Sequence, residues 1–272
     1  MDSTSSEVNF PLNFRDEDAA ALGRHLKLRH SIELVGMKRV GISNFLRYFL
    51  YKKGIVEKHI DEKEYHLFVT VDLNDLVEIE IFPFWILTFK RLVDDVNAAR
   101  FDESLKKEVS ALFLDAIQSQ DLFLTVEALR KSLITLVKGG IFPTLFLLRF
   151  DRLGEVVNKQ FFANLVGLHD ATGQKLALVF TSFRDLSEIA PAVFERKMLS
   201  EFTHRMYVKP ENKRDFEIIF NSFSSRYQLK LDKKLEEELW QLCGGHVQYL
   251  HLAAIVLSKR EVKGGIAEIL SA

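Results

Sequence analysis

Ile32-Glu33-Leu34-Val35-Gly36-Met37-Lys38-Arg39-Val40-Gly41-Ile42-Ser43-Asn44-Phe45-Leu46 is the stretch whose reading decides the fold. Ser31 to Val35 is a short apolar strand that stops at Gly36. Ser43 to Tyr51 follows as a helix with Phe45, Leu46, Phe49 and Leu50 on one face. The same alternation extends outward on both sides. Upstream, Asp16 to Leu28 carries Ala19, Ala20, Leu22 and Leu26 near a helical period, with acids at its start where the helix dipole favours them. Downstream, Tyr65 to Leu73 is the next strand, rich in β-branched and aromatic residues. Helical stretches near 85–97, 102–115 and 122–137 lead to a strand from Pro143 to Arg149, apolar on both faces as an internal parallel strand should be. A helix over 155–167, a strand over 175–181, a helix over 190–199 and a weaker strand over 204–208 complete the pattern. Alternating helices and strands imply an α/β fold: a five-stranded parallel sheet with crossover helices on both faces. After Pro210 the strand pattern ceases, and 214–227, 233–243 and 247–258 all read as amphipathic helices. The expected organisation is therefore an N-terminal tail over 1–12, an α/β domain over 13–210 and a small all-helical domain over 211–272. The stretch from Glu261 carries no stop signal, which leaves open whether the natural chain continues.

Gly36, Gly41 and Ser43 have the spacing of the phosphate-binding loop G-x-x-x-x-G-K-[ST], with Ile42 where the lysine belongs. Three contributions to phosphate binding are separable here. The glycines let backbone N–H groups and the helix start face an anion, the lysine brings a point charge to the terminal phosphates, and the hydroxyl ligates Mg²⁺. The chain keeps the first and third and lacks the second.

The surrounding sequence supplies a resemblance. The stretch from Ile32 to Leu50 is similar to the start of STAND-type or archaeal-ATPase-type P-loop modules, relatives of the AAA+ and origin-recognition ATPases. Asn13-Phe14-Arg15-Asp16-Glu17 followed by Leu22 resembles the entry motif of that family, and Phe68 to Leu73 its second strand. Leu145 to Leu153 resembles the strand that carries the paired acids, Leu178 to Leu186 the next strand with its polar sensor end, and Leu242 to Leu250 the Gly-Gly-His-Pro element of the helical lid. The similarity runs over about 13–258. It implies a P-loop NTPase three-layer sandwich followed by a helical lid, with ATP or ADP and Mg²⁺ bound at the carboxyl ends of the strands. Its implied ligand set is Gly36, Lys38, Arg39, Gly41, Ile42, Ser43, Asn44, Arg149, Ser182 and Arg184 for nucleotide, and Ser43 and Asp151 for the metal.

The departures point away from turnover. Where the family has a Mg²⁺-holding Asp and a water-polarising Glu, this chain has Leu148 and Arg149, so the Walker A and Walker B motifs are both degenerate. Asp151 is the one remaining candidate for a catalytic or metal-side carboxylate. Val247 takes the place of the lid proline. Lys38 and Arg39 either reach phosphate from within the loop or are solvated loop charges. Arg149 meets either a phosphate or a neighbouring carboxylate, and Arg184 either a phosphate or Asp185 or Glu188.

Composition bounds the rest. With 47% apolar residues the chain can bury enough surface to fold. The balance of 37 basic against 38 acidic residues excludes nucleic-acid binding by bulk charge, while leaving a local basic patch such as 24–30 or 196–214 open. A single cysteine, Cys243, cannot form an intrachain disulfide, and Met1 to Asn9 has no basic start or apolar stretch; together they suggest a cytoplasmic protein. The apolar runs Ile79 to Leu87 and Ile141 to Leu148 are too short for a membrane span and contain prolines; they read as a strand end with its turn, and as a buried strand. His59, His66 and His169 have no metal-ligand spacing. The expected function is a nucleotide-binding switch or scaffold that is a poor ATPase or a pseudoenzyme, with a protein partner or a second copy of itself. The alternatives are a platform that binds no nucleotide and contacts a partner or DNA, and an active ATPase in which Lys38 replaces the lysine.

Overall fold

A computed structural model describes residues 6–60 and 65–259. Of the charged turn expected over Glu57, Asp61, Glu62 and Glu64, Glu57 is in a short helix, and the other three, like the stretch from Glu261, lie outside the described residues. The chain divides into two compact units. One contains 22–35 and 59–206; the other contains the residues up to 21, 36–58 and those from 207 onward.

The first unit is built on the sheet. Strands β1 (Ser31–Val35), β2 (Tyr65–Asp72), β3 (Ile141–Leu148), β4 (Ala177–Ser182) and β5 (Thr203–Tyr207) lie in the order β2-β3-β4-β1-β5. The strand feeding the glycine loop is thus two places from β3, with β4 between, and the β1–β4, β3–β4 and β2–β3 ladders are all parallel. Helices α4 (Ile81–Ala98), α5 (Glu103–Ser119) and α6 (Leu122–Lys138) occupy the connection between β2 and β3, with α4 against β2 and α6 against β3. Many of the 23 phenylalanines fill this core. Phe150 meets Phe180 edge-on at 4.9 Å, and Phe84 meets Phe161 at 5.0 Å.

Several boundaries differ from expectation, each for a local reason. The run from Ile79 to Leu87 is the start of α4, not a strand end: Pro83 falls in the first turn, where its missing N–H leaves no partner unserved. Helix α7 (Lys159–Ala171) begins four residues later than expected because the Asn158 side chain caps it, accepting from Phe161 N at 2.8 Å. The helix expected over 190–199 is two short ones, α8 (Leu186–Ile189) and α9 (Arg196–Phe202), on either side of Pro191. Of the basic stretch 24–30, Arg29 is turned inward and donates to the carbonyls of Pro143 and Lys175 at 2.6 and 2.9 Å.

In the second unit, α2 (Ile42–Tyr51) and the short α3 (Ile55–His59), which the sequence pattern did not suggest, follow the loop. Phe10, Phe14, Phe45, Tyr48 and Phe49 are buried in this unit, and the Tyr48 hydroxyl donates to the Pro11 carbonyl at 2.8 Å. Helices α10 (Lys213–Tyr227), α11 (Lys233–Cys243) and α12 (Val247–Ser258) pack on one another, with Trp240 edge-on to Phe216 at 5.0 Å. Among the described residues no helix is long and apolar enough to cross a membrane.

Candidate functional site

The glycine loop belongs to the second unit. After Gly36 the chain turns through a Val40 N to Met37 carbonyl bond of 3.2 Å, passes Arg39 at φ 74° and reaches Gly41 at φ 101°. Both angles lie in the left-handed region, which a glycine adopts freely and an arginine does not. Gly41 is the N-cap of α2; it offers no side chain to the first N–H groups, and no acid lies in the first turn. The start of α2 therefore presents N–H donors with no acid in its own first turn, while Glu211 Oε1 lies 3.8 Å from where a β-carbon on Gly41 would sit.

The interior of the loop is apolar. Val40 is fully buried, and a methyl group placed on Gly36 would come within 2.8 Å of Ile42 Cδ1 and 2.9 Å of Val40 Cγ1. The Ile42 side chain thus folds back over Gly36 and has no hydrogen to donate. Met37, Lys38 and Arg39 are exposed. Arg39 is directed at the helical segment: its guanidinium lies 5.5 Å from the Tyr249 ring centroid, and its carbonyl accepts from Gln248 N at 3.5 Å. Val247, in the place of the lid proline, lies against Gly41, with its Cγ2 3.0 Å from where a β-carbon there would sit. Asn44 donates to Glu7 at 2.8 Å, and Arg47 joins the same carboxylate at 2.7 Å. Ser43 is half-buried on the second residue of α2, and its hydroxyl makes no hydrogen bond among the described residues.

Beside the loop is a buried ion pair that sequence reasoning did not assign. Arg15 Nη1 lies 2.6 Å from Glu211 Oε1, and both side chains are at most 2% exposed. Arg15 also reaches Asp18 at 2.8 Å and the Lys209 carbonyl at 2.5 Å. Glu211 Oε2 has no hydrogen-bond partner among the described residues, and Glu211 N donates to the Gly245 carbonyl at 2.9 Å. Burial pushes the Glu211 carboxyl up to about 8, with Asp215 and Asp18 adding to the rise against the pull of Arg15. The sequence signal for Arg15 was the entry motif; for Glu211, next to Pro210 in a polar turn, there was none.

The other expected residues belong to the sheet unit. Arg149 follows β3 with φ 58°; its guanidinium is ion-paired to Asp72 at the end of β2, and its backbone N donates to Thr181 Oγ1 at 2.8 Å. Arg149 thus has a carboxylate partner in Asp72. Ser182 is buried and donates to the Arg184 carbonyl at 2.7 Å, closing the turn after β4. Arg184 itself is exposed, while Asp185 pairs with Arg205 at 2.9 Å. Asp151 sits in the turn after β3 with Oδ1 buried and unpartnered; among the described residues it shares no cluster of three metal-binding side chains. Glu33, buried in β1, pairs with Arg205 at 3.0 Å and accepts from Leu186 N. A carboxylate inside an apolar strand was its signal in the sequence.

No protein-family model and no curated protein matches this sequence. Solved structures do. The Walker-type ATPase PABY2304 of Pyrococcus abyssi is similar over 95% of this chain and 70% of its own, with TM-score 0.61 and 15% identity. The ORC2 protein of Aeropyrum pernix in its ADP form is similar over 89% of this chain and 61% of its own, with TM-score 0.58 and 12% identity. The ORC1 protein of the same organism, solved in complex with DNA, is similar over 99% of this chain and 67% of its own, with TM-score 0.56 and 13% identity. This chain spans 61–70% of the length of these three proteins. At such identities the likeness is one of fold, and together with the strand order it establishes that the chain has a P-loop NTPase α/β fold, with a helical region after the sheet.

Proposed function

We propose that this protein is an ATP-type nucleotide-binding member of the AAA+ group, of STAND-like character, that has lost efficient hydrolysis and works as a regulatory switch or scaffold. The observation that carries the binding half is the uncapped start of α2 on Gly41, with no acid in its first turn. The loop's own residues suit a nucleotide phosphate and Mg²⁺: loop N–H groups for the phosphate, Lys38 for charge, and the Ser43 hydroxyl for the metal. In this reading 13–210 is the nucleotide-binding domain and 211–272 its lid, and Asn44 is a supporting contact within the loop. Arg39, stacked on Tyr249, couples the loop to the lid.

The loss of hydrolysis is supported by the end of β3. A water-polarising base there would contribute about 10²- to 10⁴-fold. Leu148 has no proton-accepting group, and Arg149 is a cation already neutralised by Asp72. With Ile42 in place of lysine, one charge-assisted contact worth about 1.5–3 kcal/mol is also missing, so nucleotide affinity is lower by about 10- to 150-fold.

Calorimetry with ATP and ADP, with and without Mg²⁺, together with a turnover assay, tests this. Binding without appreciable turnover is expected. Turnover abolished by Asp151→Ala would overturn the pseudoenzyme reading, and no binding at millimolar nucleotide would leave the fold as a partner platform.

A further inference from the structure

A second cluster of chemistry-bearing side chains belongs wholly to the sheet unit and is separate from the glycine loop. His25 lies in the last turn of α1 (Asp16–Lys27), His30 immediately before β1, and His204 in β5, the strand beside β1. The backbone brings the first two together: His30 N donates to the His25 carbonyl at 3.0 Å. Their Nδ1 atoms are 3.3 Å apart, and one ring nitrogen from each of the three histidines lies within 4.8 Å of the others. His30 and His204 stack with centroids 4.1 Å apart.

These spacings fit a metal better than they fit three solvated imidazoles. Two nitrogens bound tetrahedrally to zinc, each at about 2.0–2.1 Å, are separated by about 3.3–3.4 Å. The His25–His30 pair already has that separation. The third nitrogen needs to move inward by about an ångström, within reach of a ring rotation at His204, which is exposed. Burial lowers the pKa of His25, reinforced by His204, His30 and Arg24; burial and then His204 lower that of His30.

We propose that His25, His30 and His204 form a binding site for a divalent transition metal, zinc first, with water as the fourth ligand. Three neutral imidazoles suit zinc, copper and nickel and disfavour magnesium or calcium. The ion would tie the end of α1 to β5, the edge strand beside β1.

The test uses the full chain without a polyhistidine tag, titrated with Zn²⁺ against a chromophoric chelator at pH 7.5. One equivalent is expected to bind with micromolar or tighter affinity and to raise the thermal midpoint, and cobalt substitution is expected to give the visible bands of a tetrahedral site. Changing groups around a metal's ligands costs about 10- to 100-fold in affinity, so loss of a ligand should weaken binding at least about tenfold. His204→Ala removes an exposed side chain and leaves the fold intact, whereas His251→Gln should leave zinc affinity unchanged. Zinc affinity equal in His204→Ala, His30→Ala and the wild type, or no uptake at micromolar concentrations, would overturn the proposal and leave an imidazole hydrogen bond between His25 and His30.

Discussion

Replacing Arg15 by methionine removes the guanidinium and keeps most of the apolar volume over Phe45, whose ring centroid lies 5.6 Å from the Arg15 charge centre. What is lost is therefore polar. Three contacts disappear, to Glu211 at 2.6 Å, Asp18 at 2.8 Å and the Lys209 carbonyl at 2.5 Å. Asp18 is partly exposed and can turn to water. Glu211 and the Lys209 carbonyl are the costly remnants, because Glu211 is 1% exposed and already has one oxygen without a partner. Breaking a buried pair by removing one member costs about 3–5 kcal/mol. Here the Glu211 carboxyl titrates at about 8 even beside Arg15, so at pH 7 it is already mostly protonated and little unpaired charge is left behind. The loss at pH 7 should therefore fall near about 3 kcal/mol, the low end of that range.

The same reasoning fixes how the loss depends on pH. Without Arg15 the Glu211 carboxyl titrates still higher, and above the wild-type value each pH unit adds about 1.4 kcal/mol to the difference between the two proteins until the variant's own value is passed. The loss at pH 9 should thus exceed that at pH 7 by about 1 kcal/mol. Urea unfolding followed by Trp240 fluorescence reads this unit, and a Trp85→Phe background in every protein compared removes the other tryptophan. In Arg15→Met/Glu211→Gln part of the loss should return, as a coupling energy of about 0.5–3 kcal/mol. A loss under about 1 kcal/mol with no pH dependence would refute the account, since it would mean that Arg15 offsets no buried charge.

Three further outcomes are expected. Because burial raises Glu211 from 4.5 to about 8, the folded chain keeps a proton that the unfolded chain releases over that window, so stability should fall as pH rises through it; Glu211→Gln should flatten the slope in pH-dependent urea unfolding. Gly245→Ala should cost more than about 2 kcal/mol in the same assay, because the residue sits at φ 76° with a β-carbon only 2.3 Å from the Glu211 carbonyl oxygen, and an unchanged midpoint would contradict that contact. Phe150→Ala should cost about 3–5 kcal/mol, read by Trp85 fluorescence, while Phe123→Ala, at a site 71% exposed, should stay within about 0.5 kcal/mol.

Much of the fold was legible because it rests on periodicity: strands flanked by glycine or proline, apolar on one or both faces, alternating with amphipathic helices. Short features that depend on one residue were less legible. Asn158 as a cap moved the start of α7, and Pro83 read as a strand breaker where it was a first-turn helix residue. The candidate site was legible where chain order is spatial order, as from Gly36 to Ser43. It was not where residues far apart in sequence meet. Asp72 beneath Arg149, Glu211 beside Arg15, and His204 against His25 and His30 are each fixed by packing that no local pattern encodes.

The loop also shows which parts of a motif carry functional information. Gly36 and Gly41 look like the signature of phosphate binding, yet packing alone demands both. A side chain on Gly36 would collide with Ile42 and Val40, and Gly41 combines a left-handed backbone with Val247 at 3.0 Å. Substituting either glycine would damage the fold whether or not an anion binds, so such variants cannot discriminate. Ser43 can. It is half-buried and has no hydrogen bond to lose among the described residues, so Ser43→Ala should change stability by no more than about 0.5 kcal/mol. In the proposed reading its hydroxyl ligates Mg²⁺ on a bound nucleotide. Ser43→Ala should therefore abolish the Mg²⁺-dependent part of nucleotide affinity and leave the Mg²⁺-free part in place. Equal Mg²⁺ dependence in Ser43→Ala and wild type would remove Ser43 from the site and leave the start of α2 as a donor cluster without a metal.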